Sequence, residues 1–415
     1  MTATRPAAAA AALLAHSRRA AAASARPQIA LWRATGARWL SSEAHPDRPA
    51  VHLPLGDADV FARLDGRAVV RIDGPDSVPF LQGMVTNQMT LVERGGAGIL
   101  AAFLNAQGRI LFDAFIFPEN KGSEFPHPSF LIDCDVMVAE LLETHLKRYK
   151  LRRKIAISNA SDSLAVWQAW GRSSDLLWGS YVSRDCARHV PIGGIVPKES
   201  FCDVGCRDPR NKQLGVRFVL DRAAVPKLPT TFERVGADEF TLRRMMLGIP
   251  EGAADFFYEH SLPLESNLEF MSGVDFRKGC YLGQELTIRT YHTGVTRKRI
   301  VPIQIFKADQ ALPTQLTLDR GVSFELPESQ SDLKPVGAAE KSTRGRGTGA
   351  VGKFCSGMNN IGLALVRLEH VHSSSGSQQI LGEDAPGAPP GDLVLSNGLH
   401  ARAFAPAWWP QAPPA

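Results

Sequence analysis

The pattern of predicted secondary structure changes at Arg299, and this change limits the folds open to the chain. Before Arg299, short apolar strands alternate with amphipathic helices, which is typical of α+β layers rather than of a doubly wound parallel sheet. After it, strand-like apolar runs follow one another without a helical stretch, which predicts an all-β unit. Because 415 residues exceed one ordinary domain, we expect an α+β body and a separate all-β domain.

The body is predicted from apolar runs and the turn signals between them. The turn at 105–108 separates two apolar runs and predicts a β-hairpin. Helices are expected at 76–84, capped by Asp76, at 137–149 and at 238–247. The buried face predicted for the second helix carries Met137, Leu141, His145 or Leu142, and Tyr149. Strands are expected at 68–72, 98–104, 110–117, 130–132, 155–157, 164–170 and 217–220.

Three segments are predicted to be loops. The stretch 171–208 is expected to form surface loops because of its glycine, proline and cysteine content, and 328–349 and 373–391 are low-complexity stretches rich in serine, glycine and proline. In the all-β part, strands are expected at 300–305, 349–354 and 361–368. The basic run 147–154 is expected to mark a helix C-terminus, with anion binding as the alternative. For Trp408 and Trp409 we expect an apolar end docked on the body, with a partner site as the alternative.

The first 42 residues contain six arginines but no lysine, aspartate or glutamate. This composition is typical of a mitochondrial transit peptide, with processing expected near Ser41; the alternative is a disordered alanine-rich tail. Without those arginines, 41 cations face 42 acids, a net charge of −1, so no nucleic-acid partner is expected. No apolar run reaches the ~20 residues that span a bilayer, so membrane insertion is not expected.

The chain has six cysteines, at positions 134, 186, 202, 206, 280 and 355. Nothing in the sequence indicates secretion, so we expect reduced thiols rather than disulfides. Cys202 and Cys206 have the spacing of one helical turn, but they lack the two-residue spacing and the second pair of common zinc modules.

Cys280 differs from the others because it lies in Lys278-Gly279-Cys280-Tyr281-Leu282-Gly283-Gln284-Glu285. Gly279 and Gly283 permit tight turns and close backbone approach. The cations Arg277 and Lys278 favour the thiolate, which is the form that attacks electrophiles or binds metals. The alternative is an inert cysteine buried under a turn.

These eight residues resemble the signature of the YgfZ-type proteins, relatives of the glycine-cleavage T-protein that serve iron–sulfur cluster assembly. Other blocks resemble the mitochondrial branch of this family, and together they extend from about Phe61 to His370. The blocks are Phe80-Leu81-Gln82-Gly83 with Thr86-Asn87, 104–109, 248–252, 262–268, Gly273-Val274 and 289–299. The resemblance implies a T-protein-like folate-binding fold with a C-terminal β-barrel, located in the mitochondrial matrix. The domains expected are a transit peptide at 1–40, an α+β folate-binding-type domain at 41–298 and a β-barrel domain with low-complexity loops at 299–415.

The resemblance also implies that the protein supports maturation of [4Fe–4S] proteins together with an A-type iron–sulfur carrier. Cys280 is expected to act as ligand or nucleophile, with Lys278 beside it as a catalytic group. Since one thiolate cannot hold a cluster alone, the metal site would be a transient [2Fe–2S] cluster shared with the partner. Arg297 and Lys298 are candidate contacts to an anionic partner or ligand. The remaining candidate cofactor-binding residues are Gly279, Tyr281, Gly283, Gln284, Glu285, Arg289 and Asp113.

The alternative function is a tetrahydrofolate-dependent aminomethyl or methyl transferase. T-protein relatives use two adjacent aspartates and a pterin-binding glutamate, but here only Asp113 remains of the acidic pair. Met246 stands where the glutamate is expected. A methionine cannot accept the N–H donors of a pterin, and each donor left unpaired costs about 1–3 kcal/mol. This favours the assembly function and leaves open whether the protein is an enzyme.

Overall fold

A computed structural model of the chain describes residues 56, 58–119, 128–177, 202–337, 349–372 and 392–410. The predicted transit peptide, Cys186 and the predicted loop 373–391 lie outside the described residues. The helices are α1 (Ser77–Gln82), α2 (Ala139–Lys150), α3 (Ser174–Leu177), α4 (Ala237–Met246) and α5 (Gln284–Thr293). The strands are β1 (Val60–Arg63), β2 (Arg67–Asp73), β3 (Ile99–Leu104), β4 (Ile110–Pro118), β5 (Ser129–Asp135), β6 (Ala156–Asn159), β7 (Leu164–Trp170), β8 (Val204–Arg207), β9 (Val216–Asp221), β10 (Glu233–Arg234), β11 (Lys298–Phe306), β12 (Asp332–Pro335), β13 (Gly352–Met358), β14 (Ile361–Arg367), β15 (Val371–His372), β16 (Leu393–Val394) and β17 (His400–Phe404).

Two five-stranded sheets build the body. One has the order β3-β4-β5-β2-β6 and is antiparallel throughout. The other has the order β10-β1-β7-β9-β8, and its only parallel pair in the described part of the chain is β1–β10. The chain crosses between the sheets from β1 to β2 and returns from β6 to β7. Strands and helices are thus mixed within one body, and the α+β prediction is confirmed.

Strand β3 shows how the first sheet is covered on both faces, because all six of its residues are buried. Positions 99, 101 and 103 pack into a core with side chains of α1 and α2. Positions 100, 102 and 104 face a core shared with the second sheet. A strand whose two faces are both covered reads as a continuous apolar run, which is why this hairpin was visible in the sequence.

The C-terminal part forms a closed β-barrel. Six strands follow the order β11-β14-β13-β12-β16-β17, and β17 pairs back onto β11 to close the ring. The short strand β15 adds to β17 in parallel, beside the stretch that β16 leaves free. The barrel interior is apolar. A second apolar cluster joins Leu242 and Met245 of α4 to Ile300, Ile361 and Leu363 of the barrel.

The predicted buried face of the helix at 137–149 is confirmed at Leu142, with Leu141 packed against the same core, and is wrong at Met137 and Tyr149. Residues 136–138 form a turn of 3-10 helix before α2 begins, which changes the rotational phase of the residues that follow. Leu142 and Leu146 are buried, whereas Met137 and Tyr149 are 48% and 36% exposed. The cations of the basic run do occupy the last turn of α2, as predicted. Asp76 precedes α1 but makes no side-chain cap; its carboxylate accepts the N–H of Lys154 instead, at 2.7 Å.

The predicted loops at 171–208 and 328–349 contain regular structure in their described parts. The first includes α3 and β8, and the second includes β12. Cys202 and Cys206 are buried, with Cys206 inside strand β8 rather than on a helix. The glycine, proline and cysteine content of 171–208 suggested a loop, but pairing with β9 gives residues 204–207 their extended form.

The tail docks on the body, as predicted. The indole Nε1 of Trp408 donates to the carbonyl oxygen of Leu247, at the end of α4, over 2.6 Å. Trp409 is only 4% exposed and packs in the barrel core cluster.

Candidate functional site

Cys280 is the exposed thiol of the structure. Among the cysteines in the described residues, Cys134, Cys202, Cys206 and Cys355 are buried and only Cys280 is exposed. Burial raises the pKa of the Cys134, Cys206 and Cys355 thiols well above the usual value. Those thiols therefore stay protonated, whereas Cys280 can meet a metal or a partner at the surface.

Lys278 fixes the loop that carries Cys280. Its Nζ donates to the carbonyl oxygens of Gln82 at 2.8 Å and Asn87 at 2.9 Å, and to that of Val85. These three bonds use all three ammonium protons. Burial lowers the pKa of Lys278 to about 8, while the charge of Asp275 opposes this shift. In this geometry Lys278 positions the loop, and the catalytic role expected for it stays a prediction.

Tyr281 anchors the loop on its other side. The residue is buried in the core shared by the two sheets, and Nζ of Lys278 lies 4.6 Å from the centre of its ring. Burial raises the pKa of its phenol to about 12. Its backbone N–H donates to Oε1 of Gln284 at 3.2 Å. Tyr281 and Gln284 thus position the loop, while Cys280 between the anchors remains exposed.

Gly283 allows α5 to approach the hairpin turn at 105–108. It has φ +79°, and a Cβ at this position would lie 2.2 Å from the carbonyl oxygen of Asn105. Gly108, with φ +77°, approaches from the other side, where a Cβ would lie 2.9 Å from the carbonyl oxygen of Gly283. Gly279 differs: a Cβ there meets no atom within 4 Å, and its φ is not positive. The expectation of a required glycine therefore holds for Gly283 and not for Gly279.

The segments 82–88 and 272–282 are joined by further hydrogen bonds. The hydroxyl of Thr86 donates to the carbonyl oxygen of Gly273 at 2.6 Å, and the amide of Asn87 donates to that of Ser272 at 2.9 Å. The Asp275 N–H donates back to the Thr86 carbonyl at 3.0 Å. Three blocks that are distant in sequence thus form one platform beneath Cys280: residues 82–88, 105–109 and 272–285.

Helix α5, which the sequence analysis missed, presents polar and aromatic side chains beside this platform. Glu285 and Arg289 are exposed on the helix. The ring of Tyr291 stacks on Phe276, with centroids 3.6 Å apart and planes 16° apart. Arg277 and Arg297 are also exposed, and Lys298 is half-buried. The signal for this helix was a ten-residue stretch without glycine or proline, bounded by Gly283 and Gly294.

Asp113 lies in a buried network of ion pairs. Its Oδ1 accepts the N–H of Gly252 at 3.1 Å, and its Oδ2 lies 3.7 Å from Nη1 of Arg67. Asp133 receives both Arg67 and Arg217, each at 2.6 Å. Burial raises the pKa of Asp113 to about 6, against the lowering effect of Arg67.

The network continues through Glu251, which accepts from Arg217 at 2.7 Å and from Arg210 at 2.5 Å. The two guanidinium groups lie over the ring of Phe115, 4.5 Å and 4.9 Å from its centre. Burial alone would raise the pKa of Glu251, but Arg217 and Arg210 lower it well below the usual value.

The position expected for the pterin-binding glutamate of a transferase holds no carboxylate. Met246 packs against the apolar cluster between α4 and the barrel, and its side chain cannot accept the N–H groups of a pterin. Asp113 lies in the buried ion-pair network, where its Oδ1 accepts the N–H of Gly252 and its Oδ2 lies 3.7 Å from Arg67.

Within the described ranges, no group of three or more His, Cys, Asp or Glu residues is arranged to hold a metal ion. In the same parts of the chain, no helix has both the length and the apolar character needed to cross a membrane.

The chain is similar in sequence to curated mitochondrial proteins. It is 37% identical to the "Iron-sulfur cluster assembly factor IBA57 homolog, mitochondrial" of Neosartorya fischeri, over 89% of this chain and 84% of that protein. The homologue of the same name from Mycosarcoma maydis is also 37% identical, over 85% of this chain and 86% of its own length. Residues 297–411 match the family described as "CAF17, C-terminal beta-barrel domain".

The fold is similar to that of the glycine cleavage system aminomethyltransferase T from Bartonella henselae. The TM-score is 0.54 at 12% sequence identity, covering 86% of this chain and 88% of that structure. At this identity the likeness concerns the fold alone, and the predicted T-protein-like architecture is confirmed.

Proposed function

Because the chain belongs to the family of IBA57 mitochondrial iron–sulfur cluster assembly factors, we propose that Cys280 supplies one thiolate to a cluster that the protein shares with a partner. The chain is a mitochondrial iron–sulfur cluster assembly factor. The observation that carries the proposal is the exposure of Cys280 in a loop whose flanking side chains, Lys278 and Tyr281, are buried and hold the loop in place.

The need for a partner follows from the number of ligands. Clusters are normally held by four cysteine-type ligands, and Cys280 offers one. The other cysteines in the described residues are buried. We infer that an A-type iron–sulfur carrier supplies the remaining thiolates of a transient [2Fe–2S] cluster, which is then used to mature [4Fe–4S] proteins.

The compartment and the domain division belong to the same proposal. The relatives are named mitochondrial, and we place the protein in the matrix because its acid-free, arginine-rich leader has the composition of an import signal. A body at 41–298 and a barrel at 299–415 are supported by the start of β11 at Lys298 and by the family match over 297–411.

The folate-dependent transferase has less support. Asp113 is paired with Arg67 inside the body, and Met246 offers no carboxylate. Binding of tetrahydrofolate without transfer is tested by a binding measurement on the purified protein.

The test is to mix the purified protein, without oxygen, with a cluster-loaded A-type carrier. Co-elution and visible absorption then report the shared cluster. Cys280→Ser should leave the thermal unfolding curve unchanged and abolish the cluster-bridged complex, because a neutral hydroxyl is a poor ligand for iron. Ala106→Ser, which adds a hydroxyl at an exposed position of the neighbouring turn, is the matched control and should behave as wild type.

A cluster-bridged complex that persists in Cys280→Ser would overturn the proposal. In cells, Cys280→Ser should lower the activity of [4Fe–4S] enzymes while [2Fe–2S] enzymes persist. If Asp113→Asn lowers these activities and Cys280→Ser does not, the transferase function takes its place.

A further inference from the structure

Helix α5 and the residue Val295 just after it expose large apolar side chains to solvent. Thr287 is the only buried residue of the ten in the helix. Tyr291 is 50% exposed and Val295, just after the helix, is 78% exposed. The stack of Tyr291 on Phe276 fixes both rings in one orientation, so burying them would cost little side-chain entropy. Rigid aromatic side chains of this kind often anchor protein interfaces.

The aromatic stack lies close enough to Cys280 to share one interface with it. Phe276 precedes Cys280 by four positions, so their Cα atoms are at most about 14 Å apart even in a fully extended chain. A standard interface buries about 800 Å² per partner, which corresponds to a patch about 16 Å in radius. A protein that brings thiolates to Cys280 over an interface of standard size therefore has the reach to contact the stack as well.

The charge of this surface specifies the kind of partner. Arg277, Arg289 and Arg297 are exposed and Lys298 is half-buried, whereas the segment 275–298 contains only the acids Asp275 and Glu285. Asp275 is partly engaged, since its Oδ1 accepts the N–H of Arg277 at 2.7 Å. The excess of cations is local, because the predicted mature chain has a net charge of −1. A thiolate-ligated cluster and an acidic protein face both complement such a surface.

We propose that the α5 face, defined by Phe276, Arg277, Arg289, Tyr291 and Val295, docks the cluster-carrying partner through an acidic, partly apolar surface of that partner. The proposal rests on the shared-cluster function, but it assigns docking of the partner to the α5 face and ligation of the cluster to Cys280. The Phe276–Tyr291 stack is the apolar anchor, the arginines steer the encounter, and Cys280 ligates. Recognition of the partner is thereby separate from ligation of the cluster.

The test measures the affinity of the full protein for the A-type carrier, with and without its cluster, at two salt concentrations. Tyr291→Ala should weaken binding about 30-fold or more in both cases, as expected for an interface anchor. Arg289→Glu should lower the association rate, most strongly at low salt. The matched controls are Leu312→Ala and Arg94→Glu, which change an exposed apolar side chain and an exposed cation elsewhere, and both should bind as wild type.

The outcomes separate this inference from the proposed function. If Tyr291→Ala binds the carrier as wild type does while Cys280→Ser loses the cluster, the docking surface is wrong and the shared cluster stands. If Cys280→Ser keeps the cluster-bridged complex, the shared cluster is wrong whatever Tyr291→Ala does. The docking proposal is also overturned if Tyr291→Ala instead breaks a dimer of this chain, or releases the protein from anionic lipid vesicles.

Discussion

The surroundings of Cys280 and of Asp113 use charged side chains in opposite ways. Near Cys280, the arginines reach solvent and the thiol is exposed. Near Asp113, the arginines 67, 210 and 217 are turned inward and paired with carboxylates. A charge that is satisfied inside the fold can stabilise that fold, but it has little capacity left for a ligand. A fold similar to that of an aminomethyltransferase therefore does not by itself locate the functional site of this chain.

The largest effect on stability is expected for substitution of Arg217 in the buried network. Arg217→Met leaves Asp133 and Glu251 each without one of its partners in a buried site. Removing one member of a buried ion pair typically costs about 3–5 kcal/mol, and the free energy of unfolding measured in urea should fall by that amount. Arg289→Met, at an exposed position, should stay within about 0.5 kcal/mol of wild type. Equal effects for the two variants would show that the inner network does not hold the fold.

The second largest effect on stability is expected for substitution of Lys278, because its cationic side chain is buried beneath the exposed loop of Cys280. Lys278→Met deprives three carbonyl oxygens of their shared donor and should lower the free energy of unfolding by about 3 kcal/mol. Amide exchange should become faster at Leu282, whose N–H is bonded to the Gly83 carbonyl. Lys353→Met, whose ammonium bonds Gln330 and Asp332 at an exposed site, should change stability much less. An unchanged rate at Leu282 would contradict the positioning role.

Substitution of Asp113 tests the buried network through the pH dependence of stability. Burial raises the pKa of Asp113 from 3.8 to about 6, so between these pH values the folded state holds more protons than the unfolded state. This residue therefore lowers stability as pH rises through the window, by up to about 3 kcal/mol. Asp113→Asn removes that titration, so its stability relative to wild type should increase from pH 4 to pH 7 while the activity of [4Fe–4S] enzymes persists. A stability difference that is constant with pH would contradict the assigned cause.

Of the substitutions considered, the one at Gly279 gives the smallest effect. Gly279→Ala meets open space and should change the free energy of unfolding by less than about 1 kcal/mol, with stabilisation favoured because the unfolded chain loses freedom. Gly283→Ala is the matched comparison, since its methyl group would lie 2.2 Å from the Asn105 oxygen and should destabilise clearly. Both are read from urea midpoints, and equal midpoints would refute the close approach at Gly283.

Local signals in the sequence predicted local structure well. The hairpin of β3 and β4 was visible because its strands are continuous apolar runs around one turn. Helix α5 was missed because just one of its residues is buried, so it has no apolar stripe. The inward direction of Lys278 was hidden for a different reason. Its partners lie almost 200 residues earlier in the chain, and no spacing within the motif reports such a contact.

Closure of the barrel has a consequence for folding. Strand β11 pairs with β17 across about 100 residues of chain, since Ile303 lies opposite Ala403. In a chain that completes its fold after import, a pairing between residues so distant in sequence forms only after a delay. During that time one edge of a largely buried apolar strand has no partner, and such edges invite aggregation. The newly made chain should therefore depend on molecular chaperones until its last barrel strand is available, even though the finished fold has no such need.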